Sequence, residues 1–221
     1  MSLVTVEGPD DAGIASLTLN RPDKRNALSI AVRDEMSDAL DAFAADERCR
    51  VVVVTGAGDV FSAGFDLGEF ADADLVDKLW ASSDRWHRTI IEFPLPTVAA
   101  VNGSAYGGGF DLAVMCDVRI AADGAQFGHP EHSFTQVVYG PLHDLVGGAV
   151  ARDLTLTGRR IDAAEAHSLG LVSRVVQKDQ VVETAVAVAT EIAAAPRDVL
   201  AQMKAKILRR AGIEPGATLD L

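Results

Sequence analysis

Residues 51–54 are four consecutive valines, closed by Thr55 and Gly56. A β-branched run without polar alternation has no face to offer water, so it reads as a strand covered on both sides. The stretch 97–101 in "FPLPTVAAVNG" has the same character. Strands buried on both faces belong to parallel sheets, whose crossover connections lay helices over the faces. The chain is therefore expected to be an α/β domain. Its 221 residues suit one large domain, or one domain with a small appendage.

The other segments agree. Residues 3–7 and 14–19 flank a turn at "GPDDAG" and predict a hairpin. Ser29 is placed to cap a helix whose apolar positions Val32, Met36, Leu40 and Phe43 share one face. Residues 71–92 read as a helix, and 118–122 and 125–127 as strands. Asp162 and Glu165 have capping-box spacing, and Gly170 marks the stop of that helix. Helices over 179–194 and 197–210, the second introduced by Pro196, read as a trailing lobe.

Net charge is −12, from 20 Lys and Arg against 32 Asp and Glu, which argues against a general nucleic-acid binder. An anionic ligand must then find local basic residues such as Lys24-Arg25, Arg159-Arg160 or the stretch 204–210. Cys49 and Cys116 lack metal or redox spacing, and Cys116 sits in an apolar run that predicts a buried thiol. No signal peptide or membrane-spanning run is evident, so a cytoplasmic location is expected.

The stretch "AYGGGFDLAVMCD" at 105–117 is harder to explain by stability. Glycine costs about 1 kcal/mol in a helix interior. Gly107, Gly108 and Gly109 therefore imply a positive φ, or something that approaches the bare backbone closely. Several familiar motifs fail on spacing. "VVVVTGAGDVFSAG" opens like a dinucleotide turn, but Phe61 stands where the third glycine belongs. "NGSAYG" around Ser104 is not a nucleophile elbow. "HPEH", with His129, Glu131 and His132, lacks a third metal ligand, so a packing or surface role is expected of its histidines.

What remains is a constellation. "SAGFDL" and "GGGFD" each follow a buried strand, so both fall at the same edge of the sheet. Gly108, at a helix start, offers an unpaired N–H and the positive end of the helix dipole. A second N–H, at Phe65, is placed to converge on the same oxygen, a pairing that stabilises an enolate or oxyanion. Asp111 lies one turn beyond Gly108, and Glu131 lies in a loop after the next strand. Two carboxylates beside such a hole suit proton transfer next to a carbonyl.

With "LNRPDKRNALS", "VVVVTGAGDVFSAGFDLGEF", "PTVAAVNGSAYGGGFDLAVMCDVRIAADGAQFGHPE" and "LTGRRIDAAEAHSLGLVSRVV" in order, the chain resembles the crotonase superfamily of enoyl-CoA hydratases and isomerases. The resemblance covers residues 3–195. It implies a spiral of repeated strand-strand-helix turns over residues 1–195, followed by a C-terminal helical segment, 196–221, shorter than is usual in the family. It implies that Phe65 and Gly108 hold a thioester carbonyl and that Asp111 and Glu131 are catalytic. Lys24, Arg25 and Ala27 of "KRNAL", Ala63, Gly64, Asp66 and Leu67 of "SAGFDL", and Gly107 would bind the substrate. The substrate would be an acyl-CoA thioester of fatty-acid metabolism, coenzyme A being part of it, with no metal or redox cofactor required. The implied assembly is a homotrimer or a dimer of trimers. The implied reaction is hydration of a trans-2-enoyl-CoA; an enoyl- or dienoyl-CoA isomerase, or a weakly catalytic acyl-CoA-binding paralogue, is the alternative.

The sequence departs from that family at three places. Asp111 stands where hydratases carry glutamate, which withdraws the carboxylate by roughly 1.5 Å. After Glu131, the bulky "HSFTQVVYGPLHDLVGGAVARD" replaces a glycine-rich turn in the region that shapes the acyl pocket. Tyr139 occupies the position of the further acid of dienoyl-CoA isomerases.

Overall fold

The computed structural model describes residues 2–133 and 135–213. Strands β1 (Val4–Glu7) and β2 (Ile14–Leu19) form the antiparallel hairpin. Beside β2, strands β3 (Val51–Gly56), β4 (Thr97–Val101), β6 (Val118–Ala122) and β9 (Arg174–Val176) are all parallel. The order across this large sheet is β1-β2-β3-β4-β6-β9. A small second sheet, β5-β7-β8, consists of Ala105–Tyr106, Gln126–Gly128 and Ile161–Asp162. The chain passes from β4 to β5, from β6 to β7, and from β8 back to β9. Single bridges Leu28–Phe65 and Ser62–Ala105 carry the small wall back toward the first turns. The result is the expected strand-strand-helix spiral.

Valines 51–54 are buried, as their lack of alternation requires. Helix α1 (Ile30–Ala45) buries Val32, Met36, Leu40 and Phe43, and the Ser29 hydroxyl accepts the Val32 N–H at 3.3 Å. Ser29→Ala is expected to cost about 1 kcal/mol. For a domain of this size that lowers Tm by about 2–4 °C, measurable by calorimetry; an unchanged Tm would show that the cap contributes nothing.

Residues 71–92 do not form a single helix. Helix α2 (Leu67–Phe70) and a 3₁₀ turn (Ala73–Leu75) precede α3 (Val76–Ile91). Asp66 and Asp72 each accept the N–H two residues on, at Gly68 and Asp74, and these local bonds compete with a continuous helix. Helix α4 (Gly108–Met115) is buried at every position. Helix α5 (Gly140–Thr157) is masked in the sequence by its glycines and is broken at Gly147. Helix α6 (Ala163–Ser168) is capped by Asp162, which accepts the Glu165 N–H at 2.8 Å. The Glu165 carboxylate pairs with Arg159 at 2.8 Å.

Helix α7 (Val181–Ala193) is not part of a trailing lobe. It packs across β2, β3, β4 and β6, burying Val181, Ala185, Val188 and Ala189. Helix α8 (Arg197–Ala211) is tied down by Leu200 and by buried Lys204, whose Nζ lies 2.6 Å from Asp117 Oδ1. Lys204 is thus spent inside the fold. Residues 214–221 of the expected C-terminal segment lie outside the described residues. Cys116 is buried, and that burial pushes its thiol up to about 11.

Candidate active site

The site is built from loops that leave the carboxyl ends of the large sheet, where α/β proteins place their ligands. After β3, residues 62–66 run beside residues 25–28: the Ala63 N–H donates to the Arg25 carbonyl at 2.9 Å and the Leu28 N–H to the Gly64 carbonyl at 2.8 Å. Buried Asn26 clamps this pair by donating to the Ala57 and Val60 carbonyls at 2.9 and 2.7 Å. Gly64 (φ 91°) then lies directly on the glycine triplet; a Cβ there would sit 2.7 Å from the Tyr106 oxygen and 3.3 Å from the Gly108 nitrogen.

The triplet has a neighbour for each missing side chain. Gly107 has φ 52°, and a Cβ on it would meet a Glu131 carboxylate oxygen at 2.8 Å. A Cβ on Gly108 would run into the Phe65 ring at 2.5 Å, and one on Gly109 into Ser62 at 2.6 Å. The glycines thus let two loops and an acid converge on one helix start. Among the described residues, neither the Phe65 nor the Gly108 N–H donates to a protein acceptor.

Phe65 and Gly108 both line a cavity of about 250 Å³. Of the substrate-binding residues implied by sequence, Ala63, Gly64, Leu67 and Gly107 line it, as do Asp111 and Glu131. Phe65, Phe70 and Trp80 supply an aromatic wall, with Phe65–Phe70 and Phe70–Trp80 centroids each 6.0 Å apart. Val137 and Val138, from the bulky segment after Glu131, close another side. Lys24, Arg25 and Ala27 stand away from this lining, the two cations exposed. Asp66 turns to Arg21 in a 3.1 Å ion pair while capping α2, so it holds the loop.

Asp111, in the first turn of α4, is 6% exposed. Its Oδ1 lies 2.8 Å from His129 Nε2, and its Oδ2 lies 4.0 Å from His87 Nε2. His87, on α3, donates Nδ1–H to the Ser83 carbonyl at 2.9 Å, and burial lowers its proton affinity so that it stays neutral. Burial also acts to lower His129, but the Asp111 charge and hydrogen bond, with Glu131, carry it above the ordinary histidine value. Glu131 lies in a 3₁₀ turn (Pro130–Ser133), and burial raises its carboxyl above the usual range. The two histidines of "HPEH" therefore part company. His129 is buried on Asp111, whereas His132 is exposed and packs on Gly158.

Arg33, His87 and His129 reach the neighbourhood of Phe65 and Asp111 in a way that sequence spacing does not reveal. Arg33 is fully buried, donates to the Leu28 carbonyl at 2.7 Å and to the Leu79 carbonyl at 3.2 Å, and stacks its guanidinium 4.5 Å from the Phe65 ring centre. Burial lowers its pKa to about 10, so it stays charged at neutral pH. It braces the Phe65 strand from behind. Two residues with unpaired amides and two carboxylic acids lining one cavity are the groups needed to stabilise an enolate and move a proton beside it.

Comparison with known proteins identifies the family. Residues 10–218 match the enoyl-CoA hydratase/isomerase family. The chain is 41% identical over 197 residues to a Mycobacterium tuberculosis protein named as a probable enoyl-CoA hydratase, covering 87% of this chain and 76% of that one. It is similar to the crystal structure of enoyl-CoA hydratase from Bacillus anthracis, with TM-score 0.89 and 32% identity over 96% of this chain and 84% of that one. A monofunctional enoyl-CoA isomerase from M. smegmatis superposes with TM-score 0.83 at 32% identity, covering 96% and 95% of the two chains.

Proposed function

Because this chain belongs to the enoyl-CoA hydratase/isomerase family and is an enzyme of that type, we propose that it adds water to trans-2-enoyl-CoA thioesters. The observation that carries this reading is the shared cavity: both acidic residues and both residues with unpaired amides line it. The thioester oxygen sits between the Phe65 and Gly108 N–H groups, which stabilise the enolate formed when water attacks C3. Asp111 accepts a hydrogen bond from that water. The hydroxyl goes to C3, and the proton it leaves behind passes through Glu131 to C2, so one water is added and both acids are reset. Burial, which raises the proton affinity of Glu131, suits it to hold that proton between the two steps.

Isomerisation is the second reading, and one observation favours it. Asp111 is already engaged by the His129 imidazole at 2.8 Å, whereas the Glu131 carboxylate is met by its own backbone N–H rather than by a second side chain. Moving a double bond needs one carboxylate and the same amide pair. Assays on trans-2- and trans-3-enoyl-CoAs, with acyl-CoA binding followed in parallel, separate the readings. Hydration of the trans-2 substrates is expected, and Asp111→Asn is expected to cut it about 100-fold, and isomerisation less. Double-bond migration without hydration would replace the proposal by the second reading. Binding without turnover would leave an acyl-CoA-binding paralogue.

The same reading includes Lys24, Arg25 and Ala27 as contacts for the coenzyme A portion outside the cavity, and requires no metal or redox cofactor. It also includes a cytoplasmic location; among the described residues no helix is long and apolar enough to cross a membrane. A homotrimer or dimer of trimers is part of the proposal. The exposed apolar row Val199, Met203 and Ile207 on α8, four residues apart, supports self-association.

A further inference from the structure

We propose that His129 is a positioning residue of this site: its Nε2–H fixes the carboxylate plane that Asp111 presents to the cavity, and its ring supplies the positive charge that lets Asp111 and Glu131 stand side by side. The inference rests on the reading in which Asp111 orients the attacking water.

Three observations carry it. The first is geometric. His129 Nε2 and Asp111 Oδ1 are 2.8 Å apart, with the two residues 1% and 6% exposed, so solvent neither competes for the bond nor screens it. The second concerns the other nitrogen. His129 Nδ1 is buried and has no hydrogen-bond partner among the described residues. The bond to Asp111 is then the one hydrogen bond of the ring among the described residues, so the carboxylate alone orients an imidazole that otherwise packs 4.8 Å from Phe110. The third is the charge balance. Asp111 comes from α4, Glu131 from the same loop as His129, and His87 from α3 faces the second oxygen of Asp111 at 4.0 Å. Of these groups, only His129 is placed to carry the balancing positive charge. Its proton affinity is raised, whereas that of His87 is lowered: burial outweighs the opposing pull of Asp111, the Ser83 carbonyl and Asp84, and Arg33 acts in the same direction as burial.

A shortened acid backed by an imidazole is therefore one unit. Asp111 gives up reach, and His129 fixes its orientation. The sign of the pH dependence follows. The unit is intact while His129 is protonated and weakens as pH rises through the raised His129 value, so hydration should lose kcat on its alkaline side there.

The test uses two independent readouts. Imidazole NMR of the five-histidine chain, with the His129 signal assigned by its loss in His129→Gln, follows His129 titration in the wild type and in Asp111→Asn. Removing the carboxylate charge is expected to weaken the proton affinity of His129 by about tenfold or more; an unchanged titration overturns the pairing, whatever the turnover. The kinetic arm compares His129→Gln, which keeps a donor without the charge, with His129→Phe, which keeps neither. Phe is expected to lower hydration kcat by about tenfold or more with KM little changed. Gln is expected to recover part of kcat but not the alkaline limb. Wild-type kcat and an unaltered pH profile in His129→Gln overturn the proposal, even where His129→Phe fails to fold. A wild type without hydration contradicts the functional reading instead, and the NMR arm still decides the pairing.

Discussion

Glu131→Gln is expected to lower hydration kcat by at least about 100-fold while leaving acyl-CoA affinity within about threefold of wild type. The change removes the proton-carrying group and almost no volume. The Glu131 carboxylate lies over Gly107, whose missing Cβ makes room for it, so the amide fits the same space. In the proposed reaction, binding depends on the Phe65 and Gly108 amides and the apolar lining of the cavity, which the substitution leaves alone. Parallel steady-state kinetics and equilibrium binding of a saturated acyl-CoA measure both quantities. Near-wild-type turnover would remove Glu131 from the reaction.

Asp111→Glu is expected to reduce hydration by about 100-fold, although it restores the residue usual in the resembling hydratases. The added methylene advances the carboxylate by roughly 1.5 Å. Asp111 has no slack to absorb it, because Oδ1 is already in hydrogen-bond contact with His129 at 2.8 Å and the residue is buried. The longer acid must either break that bond or push into the space of the water. Charge is unchanged, so the comparison isolates reach from electrostatics. A gain of about tenfold, equivalent to about 1.4 kcal/mol of barrier, would mean instead that the short acid is a defect.

The two predictions divide along what the sequence makes legible. The valine strand and the glycine triplet carry their structural demands in their own composition. A run without polar alternation has to be buried, and three glycines before an apolar helix have to admit something close. That Glu131, Phe65 and Gly108 meet at one cavity is legible because they follow strands that end at one edge. The placement of His87 and His129 is not. They lie 24 residues before and 18 residues after Asp111, and only the spiral brings α3, α4 and the loop after β7 to one point. Arg33 is hidden for a similar reason: in a helical pattern an arginine reads as surface, and its burial depends on the Leu28 and Leu79 carbonyls that receive it. Helix α5 is obscured by glycines that break it; α7 is legible as a helix, but spacing alone does not assign its apolar face to the sheet.

Where the proton goes decides the reaction most directly. Purified protein is incubated with crotonyl-CoA in D₂O, and the product is analysed by mass spectrometry. The expected product is 3-hydroxybutyryl-CoA carrying one carbon-bound deuterium at C2, formed by the wild type and nearly absent with Glu131→Gln. Recovery of unchanged crotonyl-CoA from wild-type protein that binds it would contradict the account, as would undiminished deuteration by Glu131→Gln.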